Sequence, residues 1–421
     1  METYFHQLWK KDVTVSKKRR FDLISVASIP LIMTLGNSML IPVLPTIEKK
    51  LSISSFESSL VITVYSVVAI ILIPIAGYLS DQYGRKKIII PSLFIAGIGG
   101  LVSGFASWQL TEPFSIILIG RALQGVGAAG AAPIVLPLVG DMYKKESEVS
   151  EGLGLIETSN TFGKVLSPIL GAILANLIWF LPFFAFPIFC LLSIVLVIFF
   201  VHTPKKKKSE KQTAKEFIGK VKDIFRKDGK WISAIFIIGG ILMFILFGIL
   251  FYLSTMLEEE YGVSSILKGV ILAIPLAALC IASFVTGKRI EQNKIVMKWV
   301  TVVSLLVLTL GAGVTSFFDG VYFLVGSLLL TGVAIGASLP CLDALITEGI
   351  EKEERGTITS LYSSMRFVGV ALGPPVFSYL MDKSHFVMFL VIAVLALLSL
   401  CVAFFLITPE TNKSPKGLLK A

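Results

Sequence analysis

Long apolar runs separated by short polar segments fill most of this chain of 421 residues. An α-helix needs about 20 apolar residues to cross the hydrocarbon core of a bilayer. Twelve runs approach or exceed that length, at residues 22–45, 58–80, 87–108, 114–138, 152–175, 179–201, 231–256, 266–288, 295–317, 321–345, 357–380 and 385–408. The pattern therefore predicts an all-α membrane protein with twelve transmembrane helices.

One polar segment, residues 202–230, is longer than the others and divides the spans into six and six. It contains four consecutive lysines at 205–208. Phe217, Val221, Ile224 and Phe225 recur in it at helical spacing, which favours an amphipathic helix on the inner membrane surface, with a solvated tether as the alternative. We therefore predict an N-terminal six-helix bundle over 1–201, this cytoplasmic linker over 202–230, and a C-terminal six-helix bundle with a short tail over 231–421.

The composition excludes a soluble protein. Mean hydropathy is +0.83, and 55% of the residues are hydrophobic whereas only 16% are charged. The four cysteines lie far apart inside predicted spans, and the three histidines lie at or beyond span ends. Neither set has the spacing of a metal site. The chain also has no phosphate-binding loop and no catalytic triad pattern, so we predict neither an enzyme nor a cofactor.

The formal net charge of +10 suggests nucleic acid as a partner, but the distribution of cations argues against it. With the N-terminus inside, the outer loops hold only Lys49, Lys50, Lys268 and Lys383 of the 38 Lys and Arg residues. Because cytoplasmic segments carry an excess of Lys and Arg, the pattern places both termini in the cytoplasm. The short loops favour the plasma membrane of a prokaryote.

The turn between the second and third spans carries the most specific pattern. It reads Gly77-Tyr-Leu-Ser-Asp81-Gln-Tyr-Gly84-Arg85-Lys86-Lys87. Asp81 and Arg85 are four residues apart, a spacing that favours an ion pair, and the glycines allow close approach or reversal of the chain.

This turn resembles the loop between spans two and three of the major facilitator superfamily, and the chain resembles that superfamily over essentially its whole length. The resemblance implies two pseudo-symmetric six-helix bundles around a central cavity. It also implies that Gly77, Asp81, Gly84, Arg85 and Lys86 form a gating loop, braced by Asp141 at the end of span four.

Two further motifs resemble those of proton-coupled members. Arg121, Gln124 and Gly125 match an Arg-x-x-Gln-Gly pattern in span four, and the fifth span is similar to the signature of twelve-span drug:proton antiporters, with Ser-Pro and Gly-Ala where that signature has Gly-Pro and Gly-Gly. The resemblance makes Arg121 part of the proton-coupling machinery, with a static hydrogen-bond donor between helices as the alternative, and we assign proton coupling to Asp141 as well. We predict that glycines and prolines pack the helices here. They are Gly154, Gly163, Pro168 and Gly171 in span five, and Gly369, Gly373 and Pro374 at corresponding positions in span eleven.

Ionisable residues within spans are costly and therefore functional candidates. They are Arg121, Glu157, Lys164 and Arg366, whereas Asp343 is expected at a span end. Glu157, Asn160 and Lys164 share one helical stripe that we predict faces the cavity. Glu157 is the candidate for proton coupling, with a structural ion pair to Lys164 as the alternative.

The predicted substrate cavity combines polar and aromatic positions. Its cations outnumber its single carboxylate, which favours an anionic, zwitterionic or neutral substrate. The candidate lining residues are Asn37, Gln124, Asn160, Lys164, Phe247, Tyr362 and Arg366.

The sequence therefore predicts a secondary active exporter of small amphiphilic compounds by proton antiport, driven by the proton gradient without a cofactor. A proton-coupled lipid or glycolipid flippase and an organic-anion transporter on the same fold are the alternatives. We expect a monomer whose partners are its small-molecule or lipid substrate and membrane lipid.

Overall fold

The computed structural model describes residues 21–143, 146–202, 214–263, 265–290, 293–318, 320–350 and 355–408. These ranges contain twelve long helices and no strand. The helices are α1 Phe21–Leu51, α2 Ser55–Tyr83, α3 Arg85–Gln109, α4 Phe114–Met142, α5 Glu146–Leu177, α6 Leu181–Phe200, α7 Ala214–Glu259, α8 Ser265–Arg289, α9 Lys294–Thr315, α10 Val321–Gly349, α11 Arg355–Met381 and α12 His385–Leu406. The predicted fold class is confirmed.

Ten of these helices are long and apolar enough to cross a membrane by length and hydropathy alone. The other two, α5 and α11, occupy the same position in the two halves of the chain. Both carry ionisable side chains near their middle, Glu157 and Lys164 in α5 and Arg366 in α11, which lower their hydropathy. The two most polar helices are thus a matched pair.

Two helices of the first bundle are distorted where prolines interrupt their hydrogen bonding. In α1 a short 3₁₀ turn spans Ile41–Val43 around Pro42. In α4 the α-helical ladder ends at Ala131 and resumes at Val135, with Pro133 between them. Proline lacks the amide hydrogen and clashes with the preceding turn, so each site bends its helix.

Glycines set the closest helix contacts in both bundles. In the first, α5 packs on α1, where the Gly171 position faces the carbonyl oxygen of Met39. In the second, α11 packs on α7, where the Gly369 position faces the carbonyl oxygen of Gly240. Small residues let backbones approach closely. The repeated arrangement, α5 on α1 and α11 on α7, reflects the pseudo-symmetry of the halves.

Most of the contact between the bundles comes from two helix pairs, α2 with α11 and α5 with α8. Thr63 in α2 donates a hydrogen bond of 2.8 Å to the carbonyl oxygen of Ala371 in α11. A Cβ at Gly269 in α8 would lie 2.5 Å from the carbonyl oxygen of Pro168 in α5. These two pairs therefore form the main interface between the bundles.

We call the end where α2 meets α3 the turn end, and the end where α1 finishes at Leu51 the far end. At the far end the apolar core is continuous across both bundles, with Ile41 and Leu44 in the same cluster as second-bundle residues. Towards the turn end the first bundle has a separate core around Ile29 and Val135. The bundles are therefore closed together at the far end.

Helix α7 begins at Ala214 and continues without a break to Glu259, so part of the basic linker is an extension of span seven. Within this extension Ile224 is buried, and the ring of Phe225 packs edge-on against Phe236 at 5.8 Å. The lysines at 205–208 lie outside the described residues.

Candidate functional site

At the turn end, one arginine holds three acceptors together. Arg85 donates to the Asp81 carboxylate at 2.6 Å, to Asp141 at 3.1 Å and to the Ser80 hydroxyl at 2.7 Å. Gly84, between α2 and α3, has a φ of 103°, which glycine adopts without strain. The geometry ties the α2–α3 turn to the end of α4 within the first bundle.

This turn lies against the start of α11 in the second bundle. A Cβ at Gly77 would be 3.0 Å from the Ser360 hydroxyl, and a small cleft shared by Asp81 and Arg85 is also lined by Gly356 and Thr357. On the other side of the turn, the Lys86 ammonium donates to two carbonyl oxygens at the end of α6, Ile198 at 2.9 Å and Val201 at 3.0 Å. Any separation of the bundles here must move α11 away from the turn.

Arg121 is completely buried within the first bundle. Its guanidinium donates to neutral acceptors on α1, α2 and α4, and its Cζ lies 4.6 Å from the centre of the Tyr65 ring. The acceptors are the Val61 carbonyl at 2.7 Å, the Gly36 carbonyl at 3.3 Å, the Asn37 amide oxygen at 2.6 Å and the Gln124 amide oxygen. No carboxylate of the described residues lies within ion-pair distance of it.

Between the bundles lies a central cluster of four charges: Glu157 and Lys164 from α5, Asp343 from α10 and Arg366 from α11. Arg366 donates to Asp343 at 3.2 Å. Asp343 corrects a sequence expectation, because α10 extends six residues beyond it to Gly349 and places it inside the span. The cluster therefore holds two acids and two bases, so the predicted excess of cations is wrong.

Two members of this central cluster have polar atoms without a partner among the described residues. Lys164 is 6% exposed, and its ammonium nitrogen is buried and makes no hydrogen bond. The Oε1 atom of Glu157 is likewise buried and unpartnered, and its Oε2 receives only a long contact of 3.5 Å from the Asn160 amide. Buried polar groups are nearly always satisfied, so these two atoms point to a ligand site.

Lys164 reaches into a chamber between α1 and α5 of one bundle and α7 and α8 of the other. The chamber is small in this conformation, with a volume of about 10 Å³, which is close to the space that one water molecule needs. Its remaining walls are Ser38, Ile41, Pro168, Leu246, Phe247, Leu250, Leu272 and Leu276. The Lys164 ammonium is buried behind this wall, so its aliphatic stem and the other side chains present an apolar surface to the chamber.

At the far end a second ion-pair cluster joins the bundles. Glu258 of α7 accepts from Lys268 of α8 at 2.5 Å and from Lys49 of α1 at 2.8 Å. Nearby, the Ser58 hydroxyl donates to the buried carboxylate of Glu48 at 2.5 Å. Ser254 of α7 donates to the carbonyl oxygen of Ile41 in α1 at 3.0 Å. We call Glu48, Lys49, Glu258 and Lys268 the far-end cluster.

Comparison with known proteins decides the family. The family model of the Major Facilitator Superfamily matches residues 26–318 and 294–421 of this chain. The chain belongs to the Major Facilitator Superfamily. It is therefore a multi-pass membrane transporter and not an enzyme.

Two curated relatives of this superfamily member are named as exporters or resistance proteins. The bacillibactin exporter of Bacillus subtilis (strain 168) is 53% identical over 398 residues, which cover 94% of this chain and 99% of that protein. The class H tetracycline resistance protein of Pasteurella multocida is 25% identical over 381 residues, covering 86% of this chain and 89% of that protein.

Solved structures share its fold. The human organic anion transporter MFSD10 superposes with a TM-score of 0.75 at 17% identity, over 91% of this chain and 99% of that one. A bacterial homolog of the human lysosomal transporter Spinster, in an inward-facing and unoccupied conformation, gives a TM-score of 0.74 at 15% identity, over 93% and 97% of the two chains.

The predicted cavity residues of the transporter do not share one site. Lys164 and Phe247 line the chamber, and Arg366 belongs to the central cluster, with its Cζ 5.7 Å from the centre of the buried Tyr362 ring. Asn37 and Gln124 do not line the chamber, because both bond Arg121 inside the first bundle. Asn160 accepts a hydrogen bond of 2.7 Å from Thr34 and so links α5 to α1.

Of the positions predicted to pack helices together, most lie at close helix contacts and one does not. Gly163 and Gly171 of α5 lie against α1, and Gly369 and Gly373 of α11 lie against α7. Pro168 and Pro374 are buried within their helices. A Cβ added at Gly154 would meet no atom within 4 Å, so this glycine does not mediate a close helix contact.

Sequence reasoning missed Asp343 and the far-end cluster. Asp343 lies 23 residues before its partner Arg366 and on another helix, so no local spacing connects them. From the sequence, Lys49 and Lys268 could be recognised only as cations of the outer loops, without their partner Glu258. Part of this cluster could have been predicted from the sequence, because Glu258 and Lys268 lie only ten residues apart, on either side of the turn between α7 and α8.

Replacement of Asp81 tests the turn-end cluster. We expect Asp81→Asn to lower transport by about fivefold or more, because the ion pair helps to set the balance between conformations. Because the Asp81 side chain is 45% exposed, the pair contributes on the order of 1 kcal/mol or less, so folding should be retained. Transport assays measure the loss of activity, and thermal unfolding of the same preparation measures whether the variant is folded. Asp382→Asn, an exposed aspartate at the far end, is the control, and unchanged transport by Asp81→Asn would remove the gating role.

The far-end cluster offers a matched pair of lysines on one carboxylate. The Lys268 side chain is 2% exposed and that of Lys49 is 59% exposed. Removing a partner from a buried pair costs on the order of 3 kcal/mol, whereas an exposed pair contributes ~0.2–1 kcal/mol. We therefore expect Lys268→Met to lower the thermal unfolding temperature much more than Lys49→Met. Equal effects of the two variants would show that the pairing with Glu258 does not stabilise this end.

Proposed function

We propose that this transporter exports a small amphiphilic compound from the cytoplasm in exchange for protons, with bacillibactin as the first substrate to test. The observation that carries the proposal is the buried, unpartnered Glu157 carboxylate oxygen between the two bundles. An unsatisfied acid at membrane depth is a candidate proton-binding group. The 53% identity to a bacillibactin exporter supports export and this choice of compound.

Antiport requires that proton and substrate exclude each other. A deprotonated Glu157 accepts hydrogen bonds from a substrate, and a protonated one loses most of that capacity because its charge is neutralised. Substrate therefore binds from the cytoplasm when Glu157 is charged, and a proton arriving from outside displaces it. Asp343 and Arg366 form the second acid–base pair within electrostatic range of Lys164, and Asp343 is a further proton-binding candidate.

The two ion-pair clusters act as the gates of an alternating-access cycle. The far-end cluster, with the apolar core behind it, closes the outward path in the described conformation. The Asp81–Arg85–Asp141 cluster braces the turn end when the bundles close there. Asp81, Asp141 and Lys49 are exposed, and exposed ion pairs are individually weak, which suits contacts that must break in every cycle.

Arg121 supports the site from within the first bundle. Its partners are neutral, so its contribution to proton coupling is positional: it holds α1, α2 and α4 together beside α5. The proposal includes the plasma membrane as location, with both termini in the cytoplasm and the proton gradient as energy source. One chain contains both bundles and the chamber between them, which supports a functional monomer.

Reconstitution into vesicles tests the proposal. With an acidic interior and bacillibactin outside, we expect uptake coupled to alkalinisation of the lumen, reported by a trapped pH dye. Dissipating the gradient with a protonophore should remove the accumulation. Accumulation that is independent of the gradient would refute antiport. Movement of labelled lipid across the bilayer, without bacillibactin uptake, would identify a flippase instead.

A further inference from the structure

We propose that the substrate of this transporter is an organic acid that also carries a hydrogen-bond donor. Its acidic group binds the Lys164 ammonium, and its donor binds Oε1 of Glu157. The inference rests on the proposed function, since it assigns the substrate class to the same site. It is carried by two unpartnered buried polar atoms on one helix, together with an apolar chamber beside one of them.

Lys164 selects for an anion. A buried ammonium without an acceptor is strongly unfavourable, and an anionic ligand supplies both the missing charge and the missing acceptor. Within the described residues, no carboxylate lies within ion-pair distance of Lys164. Arg366 is the other cation of the central cluster, but it already forms an ion pair with Asp343, with 3.2 Å between Nη1 and Oδ1. Lys164 is therefore the base that remains for a ligand.

Glu157 selects for a hydrogen-bond donor on the ligand. Its Oε1 atom is buried and accepts no hydrogen bond from the described residues. A purely anionic ligand would be repelled by this carboxylate and would bind better after its protonation, which is the wrong sign for antiport. A hydroxyl, phenol or ammonium group on the ligand removes this conflict, because it binds the charged carboxylate and competes with the proton.

The helix fixes the spacing of the two ends. Glu157 and Lys164 are seven residues apart on α5, which corresponds to about 10 Å along the helix axis and to nearly the same face. A ligand that reaches both therefore needs its acid and its donor separated by a short body. The chamber adjoins Lys164 on the side away from Glu157, and its leucines and Phe247 favour an apolar or aromatic group on the ligand next to its acid.

Three small probes separate these requirements. 3-(4-Hydroxyphenyl)propanoate carries acid and donor, 3-phenylpropanoate carries the acid alone, and tyramine carries donors with a cation in place of the acid. We would measure their dissociation constants with the purified full-length transporter in detergent at neutral pH. We expect the hydroxylated acid to bind about tenfold more tightly than either of the others, since each loses one of the two polar contacts.

Variants assign each end of the probe. Lys164→Met should weaken both acids by about tenfold and should bind tyramine at least as tightly as wild type does, because a like charge is removed. Lys164→Arg should restore part of the affinity for the acids. Glu157→Gln should reduce the preference for the hydroxylated acid over 3-phenylpropanoate. Because wild type alone ranks the three probes, the comparison holds even for a variant that folds poorly.

The proposal is overturned if tyramine binds most tightly, or if a folded Lys164→Met binds both acids as wild type does. These binding measurements use no proton gradient. If the predicted ranking holds but bacillibactin is not exchanged for protons, the site assignment stands and the proposed function fails. If proton exchange occurs but the acids show no dependence on Lys164, the function stands and this inference fails.

Discussion

Glu157→Gln is expected to abolish proton-driven transport. Glutamine preserves the size and hydrogen-bonding capacity of the side chain but cannot take up a proton, so the exchange loses its proton-binding step. We expect net accumulation of substrate to fall at least about tenfold, which corresponds to ~1.4 kcal/mol. The measurement is pH-gradient-driven uptake of bacillibactin into vesicles that contain equal amounts of folded protein.

Glu112→Gln is the matched control for this substitution. Glu112 lies exposed in the loop between α3 and α4 at the far end, so its replacement should leave transport unchanged. Asp343→Asn, measured alongside, reports whether the second acid of the central cluster shares the coupling. Retention of full gradient-driven transport by Glu157→Gln would exclude Glu157 as the coupling group.

The second large effect concerns folding. Gly171→Ala should destabilise the transporter, because the new Cβ would collide with the backbone carbonyl of Met39 in α1. Backbone cannot move aside as a flexible side chain does, so α5 and α1 must separate. Overpacking of this kind costs ~1–3 kcal/mol. Thermal unfolding in detergent should show a lower transition temperature than that of wild type.

Gly154→Ala on the same helix is the control and should act in the opposite direction. A Cβ at Gly154 meets no atom within 4 Å. Alanine stabilises a helix interior by up to ~1 kcal/mol relative to glycine. We therefore expect an unchanged or slightly raised transition temperature. A similar loss for both variants would show that the Gly171 contact with α1 does not govern stability.

Apolar run length was sufficient to predict twelve helices, because the bilayer fixes the number of residues that a span needs. It placed α5 and α11 correctly although their polar residues lower their hydropathy. Apolar run length could not locate Asp343, since the end of an apolar run is not the end of a helix: α10 continues to Gly349, six residues beyond Asp343.

The ionisable residues of the central cluster were visible in the sequence, but their pairing was not. Glu157 and Lys164 were predictable as a stripe because one helix carries both. The pairing of Arg366 with Asp343 joins two helices, and it changes the charge balance of the site. The far-end cluster joins α1, α7 and α8 across the bundles, so it depends on how the halves dock, which no local pattern records.

Proton release on substrate binding tests the central claim most directly, namely that proton and substrate compete at Glu157. In weakly buffered detergent solutions over a series of pH values, bacillibactin added to the wild-type transporter should release protons, up to about one per binding site, wherever the unliganded carboxyl carries a proton. Glu157→Gln should bind without that release. Proton uptake by wild type, or equal release by a Glu157→Gln variant that still binds, would contradict the account.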